Sequence, residues 1–269
     1  MQKSIIYFVL ILTGCLTLSS CSLFSPRYEK IEKGEYRISA NGKKRFTLNN
    51  IDGKIKIVRT TDAGVIIVRY EKVAHVKKRD LNTPLNEIKL NIDSSGADVK
   101  IDTEMESINS HIRIGIGESN KVDYEIFIPE GIEINLNNTN GSITAKELDN
   151  NIKASTVNGD IKLEKLSGKL ELETTNGSIR GTIDSTKGIK AETMNGSIKF
   201  SLGTKVSATV KADVMNGSVK TEGLNFKNST DRKERKYFHG TLGNGDAEIK
   251  LETTNGSIRL TGDSESTEI

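Results

Sequence analysis

Apolar and polar residues alternate with a period of two over most of this chain, as expected for β-strands with one buried face. In one stretch the apolar or small positions are Leu170, Leu172 and Thr174, with glutamates between them. The chain then reaches the pair Asn176-Gly177 and resumes the alternation at Ile179. Each such unit predicts a strand, a corner and a second strand. We find no segment after the first twenty residues with the spacing of an amphipathic helix.

The unit recurs around six Asn-Gly pairs. The first five pairs are 18, 18, 19 and 21 residues apart, and the sixth follows a longer gap. The pairs are Asn140-Gly141, Asn158-Gly159, Asn176-Gly177, Asn195-Gly196, Asn216-Gly217 and Asn255-Gly256. Asparagine tolerates a left-handed backbone and glycine adopts it freely, so we interpret these residues as structural turn formers rather than as a ligand-binding row.

Two all-β architectures fit this repeat. In a β-solenoid, each unit of about 18–21 residues is one coil, and equivalent residues stack about 4.8 Å apart on successive coils. In an antiparallel meander or barrel, each Asn-Gly pair closes a two-residue hairpin. Hairpins would place Glu173 opposite Arg180, a favourable pair, whereas a solenoid stacks acid on acid. The residues alone leave both architectures open.

The rest of the chain is organised around this repeat. An N-terminal β-rich part is predicted over residues 35–130, followed by the Asn-Gly repeat region over residues 131–262. Residues 223–244 break the period and form an insertion. Residues 263–269 form a C-terminal tail.

The N-terminus has the pattern of an export signal. One positive charge at Lys3, an apolar run over residues 5–12 and small residues before Cys21 predict a signal peptide over residues 1–20. The ending Leu-Ser-Ser-Cys resembles the lipobox of bacterial lipoproteins. This resemblance implies that Cys21 becomes the lipidated first residue of the mature chain, with palmitate-type acyl chains as a membrane anchor. Residues 21–34 are then the lipidated cysteine and a tether.

Three features together resemble the putative adhesin family of bacterial proteins. They are the lipobox, the strand at residues 122–131 and the repeated Thr-x-Asn-Gly-Ser/Asp-Ile units. The family consists of exported or membrane-anchored β-repeat proteins, also described as a domain of unknown function. The resemblance covers about residues 36–262 and implies a right-handed β-helix-like solenoid, which favours that architecture over the hairpin sheet. The insertion departs from the period and leaves the coil register there open.

Composition and charge exclude several functions. Lys and Arg total 39 against 36 Asp and Glu, and a net charge of +3 is too balanced for an electrostatic nucleic-acid binder. A mean hydropathy of −0.42 excludes a polytopic membrane protein. The histidines His75, His111 and His239 stand far apart, and no metal, nucleotide or nucleophile-elbow motif is present. We therefore expect no metal, no cofactor and no catalytic residue.

The insertion contains the best candidate for a non-repetitive site. It combines a basic run with two adjacent aromatic residues in a chain that is only 5% aromatic. The candidate loop consists of Arg232, Lys233, Arg235, Lys236, Tyr237 and Phe238. One interpretation is a solvated excursion whose aromatic residues cover the last coils as a cap. The other is a loop that binds an anionic glycan or lipid head group.

These observations predict an exported, lipid-anchored, non-catalytic lipoprotein that acts as a surface scaffold or adhesin-like binding module. Its partners would be the membrane, through the acyl chains, and an envelope protein or glycan. Ser22 follows the cysteine, and by resemblance to Gram-negative sorting it implies the outer membrane if the cell has two. Two alternatives are an accessory protein of an envelope-stress or signalling system and a β-helix polysaccharide lyase or hydrolase.

Overall fold

The computed structural model describes residues 28–76, 85–105, 120–231 and 236–262. These residues form nineteen β-strands and contain no helix, which confirms the all-β prediction. The strands are β1 (Tyr28–Ser39), β2 (Arg45–Asp52), β3 (Ile55–Arg59), β4 (Val65–Val76), β5 (Ile88–Asp93), β6 (Asp98–Met105), β7 (Lys121–Ile128), β8 (Glu133–Asn140), β9 (Ile143–Lys146), β10 (Ile152–Asn158), β11 (Ile161–Leu166), β12 (Leu170–Asn176), β13 (Ile179–Ile183), β14 (Ile189–Asn195), β15 (Ile198–Leu202), β16 (Ala208–Glu222), β17 (Lys227–Asp231), β18 (Tyr237–Leu242) and β19 (Ala247–Gly262).

The strands form two stacks that meet at the Asn-Gly corners. Stack A has the order β5-β6-β2-β8-β10-β12-β14-β19-β16-β18-β17, and stack B has the order β1-β4-β7-β3-β9-β11-β13-β15-β19-β16. The long strands β16 and β19 run through the corner and belong to both stacks.

Pairing between successive coils is parallel and joins equivalent positions of the repeat. Asn158 lies beside Asn176, and Glu173 lies beside Glu192. The β-solenoid prediction is therefore confirmed, and the hairpin alternative is wrong. Glu173 does not pair across its corner with Arg180, because the strand after each corner continues into the second stack instead of folding back on the first.

The spatial order of the coils differs from their order in sequence at both ends. The coil of β2 and β3 lies between that of β6 and β7 and that of β8 and β9. At the other end, β19 lies between the coil of β14 and β15 and the coil of β16. The last Asn-Gly unit therefore enters the solenoid as its second-to-last coil.

Antiparallel strands cover the ends of the solenoid. At one end β5 pairs with β6, β4 pairs with β7, and β1 pairs with β4. At the other end a hairpin of β17 and β18 covers β16 on the side of stack A. These covering strands pair the backbone of the end coils, so that the outermost strands of the stacks are β5, β17 and β1 and, at the far end of stack B, β16.

The first strand begins earlier than the sequence indicates. Residues 28–34, expected to be part of a tether, form the first half of β1 and pair with residues 70–76 of β4. The segment Tyr-Glu-Lys-Ile-Glu-Lys-Gly has no alternation of apolar residues, so its pattern does not indicate a strand. The backbone hydrogen bonds between the long antiparallel strands β1 and β4 set the position of this segment.

Aromatic residues in the described parts of the insertion pack against the core, as the cap interpretation expects. Phe238 is buried and meets Phe226 edge to face, with ring centroids 4.7 Å apart. The backbone of β18 pairs with the first half of β16, so Asp213 lies beside Tyr237. These rings replace the apolar cover that a further coil would give.

The core is made of rows, with one side chain from each coil. One such row in stack B contains mostly isoleucine, fully or almost fully buried, and extends through Ile143, Ile161, Ile179, Ile198 and Ile258. Burying each of these side chains contributes about 1.5–3 kcal/mol. Since every coil adds the same small set of side chains, the core stays narrow and needs few aromatic residues.

A ladder of side-chain amides runs along the outside of the corner. Each asparagine donates from Nδ2 to Oδ1 of its neighbour, as Asn158 does to Asn140 at 2.8 Å and Asn176 does to Asn158 at 2.9 Å. The ladder runs Asp52, Asn140, Asn158, Asn176, Asn195, Asn255 and Asn216.

None of these asparagines has a positive φ, so the expectation that they serve as left-handed turn residues is wrong. Their amides instead bind one coil to the next.

On the inside of the corner, threonine hydroxyls satisfy the glycine carbonyls. Thr174 donates to the carbonyl of Gly159 at 2.9 Å, and Thr193 donates to that of Gly177 at 2.9 Å. The glycines themselves stack so closely that a Cβ on Gly177 would overlap the carbonyl oxygen of Gly159. Only glycine fits at this position, and the reason is the neighbouring coil.

We predict that Gly177→Ala lowers the free energy of unfolding by about 3 kcal/mol, because the added methyl group must push two coils apart. Gly96→Ala is the matched control, since no atom lies within 4 Å of its Cβ position. That variant should stay within about 0.5 kcal/mol of the parent chain in urea unfolding. Equal stability of the two variants would contradict the stacked corner.

Candidate functional site

A cleft lies on the outer face of stack B, near the end covered by β1. Its volume is about 710 Å³, within the range of small-ligand sites. We call it the charged cleft. It is lined by Lys33, Gly34, Glu35, Arg37, Lys56, Arg69, Tyr70, Glu71, Asp123, Tyr124 and Glu125. Four different strands, β1, β4, β7 and β3, bring these residues together.

The strand register places opposite charges side by side across the cleft. Glu35 of β1 lies beside Arg69 of β4, Arg69 beside Glu125 of β7, and Glu125 beside Lys56 of β3. Arg69 donates from Nε to Glu35 at 2.8 Å, and Lys56 donates from Nζ to Glu125 at 2.8 Å. The cleft is therefore rich in charged groups and close to neutral overall.

The arginines hold Glu35 in its ionised form. A hydrogen bond from Arg69 is the main cause that lowers the pKa of Glu35, Arg37 adds to it at 2.8 Å, and partial burial opposes both. The same pair raises the pKa of Arg69 above its usual value. Both groups stay charged across the physiological range, so they act as a fixed acceptor and a fixed donor.

Tyrosines pack at the same end of the solenoid. Tyr36 and Tyr70 stack with ring centroids 5.4 Å apart, and the Tyr124 hydroxyl lies 2.7 Å from Oγ1 of Thr103. Burial raises the pKa of Tyr124 far above its ordinary value, so this hydroxyl stays protonated. A side chain on Gly34 would overlap the Tyr70 ring, which explains the glycine at the cleft.

The region that contains the repeat identifies the family of this chain. The Toastrack DUF4097 family model matches residues 76–261, which is more than half of the chain. The chain belongs to this family. No curated protein matches it in sequence.

Three solved structures are among those that match this Toastrack protein. A putative cell adhesion protein from Clostridium sporogenes has 14% identity and a TM-score of 0.44, and the match covers 88% of this chain and 100% of that one. A putative adhesin from Bacteroides fragilis has 11% identity and a TM-score of 0.39, with 87% and 97% covered. A putative lipid binding protein from Parabacteroides distasonis has 11% identity and a TM-score of 0.29, with 87% and 97% covered. Sequence identities and TM-scores this low do not assign a ligand or an activity to this chain.

The sequence-predicted sites of this Toastrack protein lie apart from the charged cleft. The Asn-Gly pairs form the corner, and Lys236, Tyr237 and Phe238, the described residues of the predicted basic loop, lie at the opposite end of the solenoid. Of that loop, Lys236 is exposed, Tyr237 is half-buried and Phe238 is buried. The other predicted loop residues, Arg232, Lys233 and Arg235, and the predicted lipidation site Cys21 lie outside the described residues.

The described ranges contain no metal-binding cluster and no membrane-spanning helix. Nowhere in them do three His, Cys, Asp or Glu side chains gather closely enough to hold a metal ion. Within the same ranges, no helix has the length and apolar character needed to cross a membrane.

The sequence does not single out the cleft residues of this Toastrack chain. Glu35 and Arg69 are 34 positions apart and meet only through the pairing of β1 with β4. The available signal is local: charged residues two positions apart, such as Glu35 with Arg37 and Asp123 with Glu125, mark the outer face of a strand. That signal occurs throughout the chain.

We predict that Glu35 stabilises the fold at neutral pH and loses this effect in acid. Because its folded-state pKa lies below the unfolded value, the stabilisation is complete above the unfolded pKa and is lost as the pH falls through the lowered one. Glu35→Gln should lower the melting temperature at pH 7, and the difference from the parent chain should shrink below about pH 4.

Glu222→Gln is the matched control, because Glu222 is exposed and has no ion pair within the described part of the chain. This variant should follow the parent at every pH in the same thermal-melting series. A difference in melting temperature between Glu35→Gln and the parent chain that does not change with pH would contradict this role of the ionised Glu35.

Proposed function

We propose that this chain is a non-catalytic, envelope-anchored binding module whose ligand site is the charged cleft. The observation that supports this proposal most directly is the cleft itself, a cavity of about 710 Å³ whose walls alternate between fixed donors and fixed acceptors. The solenoid supplies rigidity, and the lipidated Cys21 supplies attachment.

The charge state of the cleft argues for binding rather than catalysis. A general acid at neutral pH needs a raised carboxyl pKa, and a glycosidase needs one carboxyl of that kind beside one that is ionised. The pKa of Glu35 is lowered instead, because two arginines donate hydrogen bonds to its carboxylate. Glu125 in turn contacts Lys56 at 2.8 Å and Arg69 at 3.7 Å.

The cleft fits a neutral, hydroxyl-rich ligand, and a glycan is the class that we propose. A sugar hydroxyl both donates and accepts, so it can bind between a guanidinium and a carboxylate without bringing a net charge. A strongly anionic or cationic ligand would have to displace one half of the existing pairs. Arg37 is about half exposed, at 54%, and is the cation best placed to turn from Glu35 to a ligand.

The binding proposal is tested on a glycan array with the chain from residue 22 onward, followed by titration calorimetry on any captured glycan. Arg37→Ala should weaken binding about tenfold, the effect of losing one hydrogen bond from a charged donor. Arg45→Ala is the matched control: Arg45 is also a half-exposed, ion-paired arginine, but it contacts Asp98 and Glu133 outside the cleft.

Three results would overturn the proposal. The first is that neutral glycans are not captured. The second is that both arginine variants weaken capture equally. The third is the release of reducing ends from a captured glycan, which would make the chain an enzyme.

The anchor is tested separately by Cys21→Ser in the full-length chain. We expect this variant to move from the membrane fraction to the soluble fraction, because the acyl chains can no longer be attached. Labelling with radioactive palmitate should be lost at the same time. A variant that stays in the membrane fraction would refute the lipid anchor and leave the glycan proposal intact.

A further inference from the structure

Two rows of like charge flank the Asn-Gly corner in the same four coils. The acid row lies in stack A and consists of Glu173, Glu192, Glu252 and Asp213. The base row lies in stack B and consists of Arg180, Lys199, Arg259 and Lys220. Each coil carries one acid three residues before its asparagine and one base four residues after it.

Much of this charge has no counterion among the residues that the structure describes. In the base row Arg180 contacts Asp160 at 2.5 Å, whereas Lys199, Arg259 and Lys220 have no ion pair in the described ranges. In the acid row Glu192 and Glu252 contact lysines of their own strands at 2.8 and 2.9 Å. Glu173 and Asp213 have no ion pair among the described residues. Like charges on neighbouring strands repel, so both rows would be stabilised by a partner of opposite charge.

A groove runs between the acid row and the corner. Its volume is about 390 Å³, and its floor contains the buried Thr174, Thr193 and Thr253. The wall opposite the acid row consists of Thr175, Met194, Thr254 and Met215. Met194 and Met215 are 54% and 65% exposed, and with Val157 they are the large apolar side chains most exposed in the described chain. We call this surface the corner groove.

A wall of carboxylates facing a wall in which methionines alternate with threonines suits long cationic side chains. Lysine and arginine can lay their aliphatic stems along the methionines and place their charged ends at the carboxylates. The ligand must also present one cation per coil, that is, about every 4.8 Å.

The base row of this chain has that spacing, because the same coils set the spacing of both rows. We propose that the base row of one copy binds in the corner groove of a second copy.

Four bases of one copy meet four acids of the other, coil by coil, when the two solenoid axes are aligned. Each copy has one groove and one base row, so association either closes into a twofold dimer or continues as a row of copies. This inference is independent of the charged cleft, which lies at the other end of the solenoid.

Sedimentation velocity over a range of concentrations tests the association with the chain from residue 22 onward. We expect reversible self-association that is at least about tenfold weaker at 1 M salt than at 0.1 M, since exposed ion pairs are screened. Lys199→Glu/Arg259→Glu should abolish it, and so should Glu192→Lys/Glu252→Lys. A mixture of the two variants should associate again. The reversed base row of the first variant is acidic and meets the reversed, basic acid row of the second, while the unchanged base row of the second meets the unchanged acid row of the first.

The control is Lys44→Glu/Lys205→Glu, which makes the same change of charge at exposed lysines outside both rows. It should associate like the parent chain. Met194→Ser/Met215→Ser keeps all charges and should weaken association, which separates the groove from a general attraction between charged surfaces. Circular dichroism and melting temperatures establish that each variant is folded.

Several results would overturn the inference. One is a chain that is monomeric at every concentration and salt level. Another is an association that the reversed rows leave unchanged. A third is a monomer whose base row binds a soluble polyanion such as heparin, with loss of binding in Lys199→Glu/Arg259→Glu, because the row would then have a different occupant.

Discussion

The close approach of successive coils at the Asn-Gly corner is the constraint on which the rest of this structure depends. The backbone of Gly177 packs against the carbonyl of Gly159, the amide of Asn176 binds Asn158 outside, and the hydroxyl of Thr174 binds Gly159 inside. A shift of one residue between coils would break all of these contacts together. The corner therefore fixes the register for every position on both sides of it.

A fixed register turns a repeated sequence into rows of identical chemistry. Inside the solenoid this is favourable, because isoleucine stacked on isoleucine fills a narrow core without gaps. On the outside of the solenoid the fixed register is unfavourable, because a repeated glutamate or lysine lies beside a like charge and not beside an opposite one. The same regularity that simplifies the core produces the acid row and the base row.

The fold follows from the sequence much further than the candidate sites do. Alternation and the spacing of the Asn-Gly pairs indicate the strands and the corners, and the family resemblance favours the solenoid over hairpins. The sequence does not reveal the role of Asn176, because an Asn-Gly pair is expected both in a hairpin turn and in a stacked ladder.

Long-range pairing is equally hidden in the sequence. The segment from Thr253 to Arg259 is identical to that from Thr174 to Arg180, which shows kinship between the coils but not that β19 lies between β15 and β16. The charged cleft depends on the pairing of β1 with β4 across 34 residues, and no local pattern encodes that contact.

The two ends of the solenoid differ because neighbouring strands differ at one end and repeat at the other. At the cleft, β1, β4, β7 and β3 have unrelated sequences, and their register alternates Glu35, Arg69, Glu125 and Lys56 so that each charge meets its opposite. In the later coils the strands are near copies, so equivalent positions on neighbouring strands carry like charges, as Glu173 and Glu192 or Arg180 and Lys199 do. Irregular coils can satisfy their own charges and enclose a shaped cavity, whereas regular coils leave a periodic surface. Such a surface is complementary to a partner whose charges have the same spacing. A second solenoid of the same sequence is a partner of this kind.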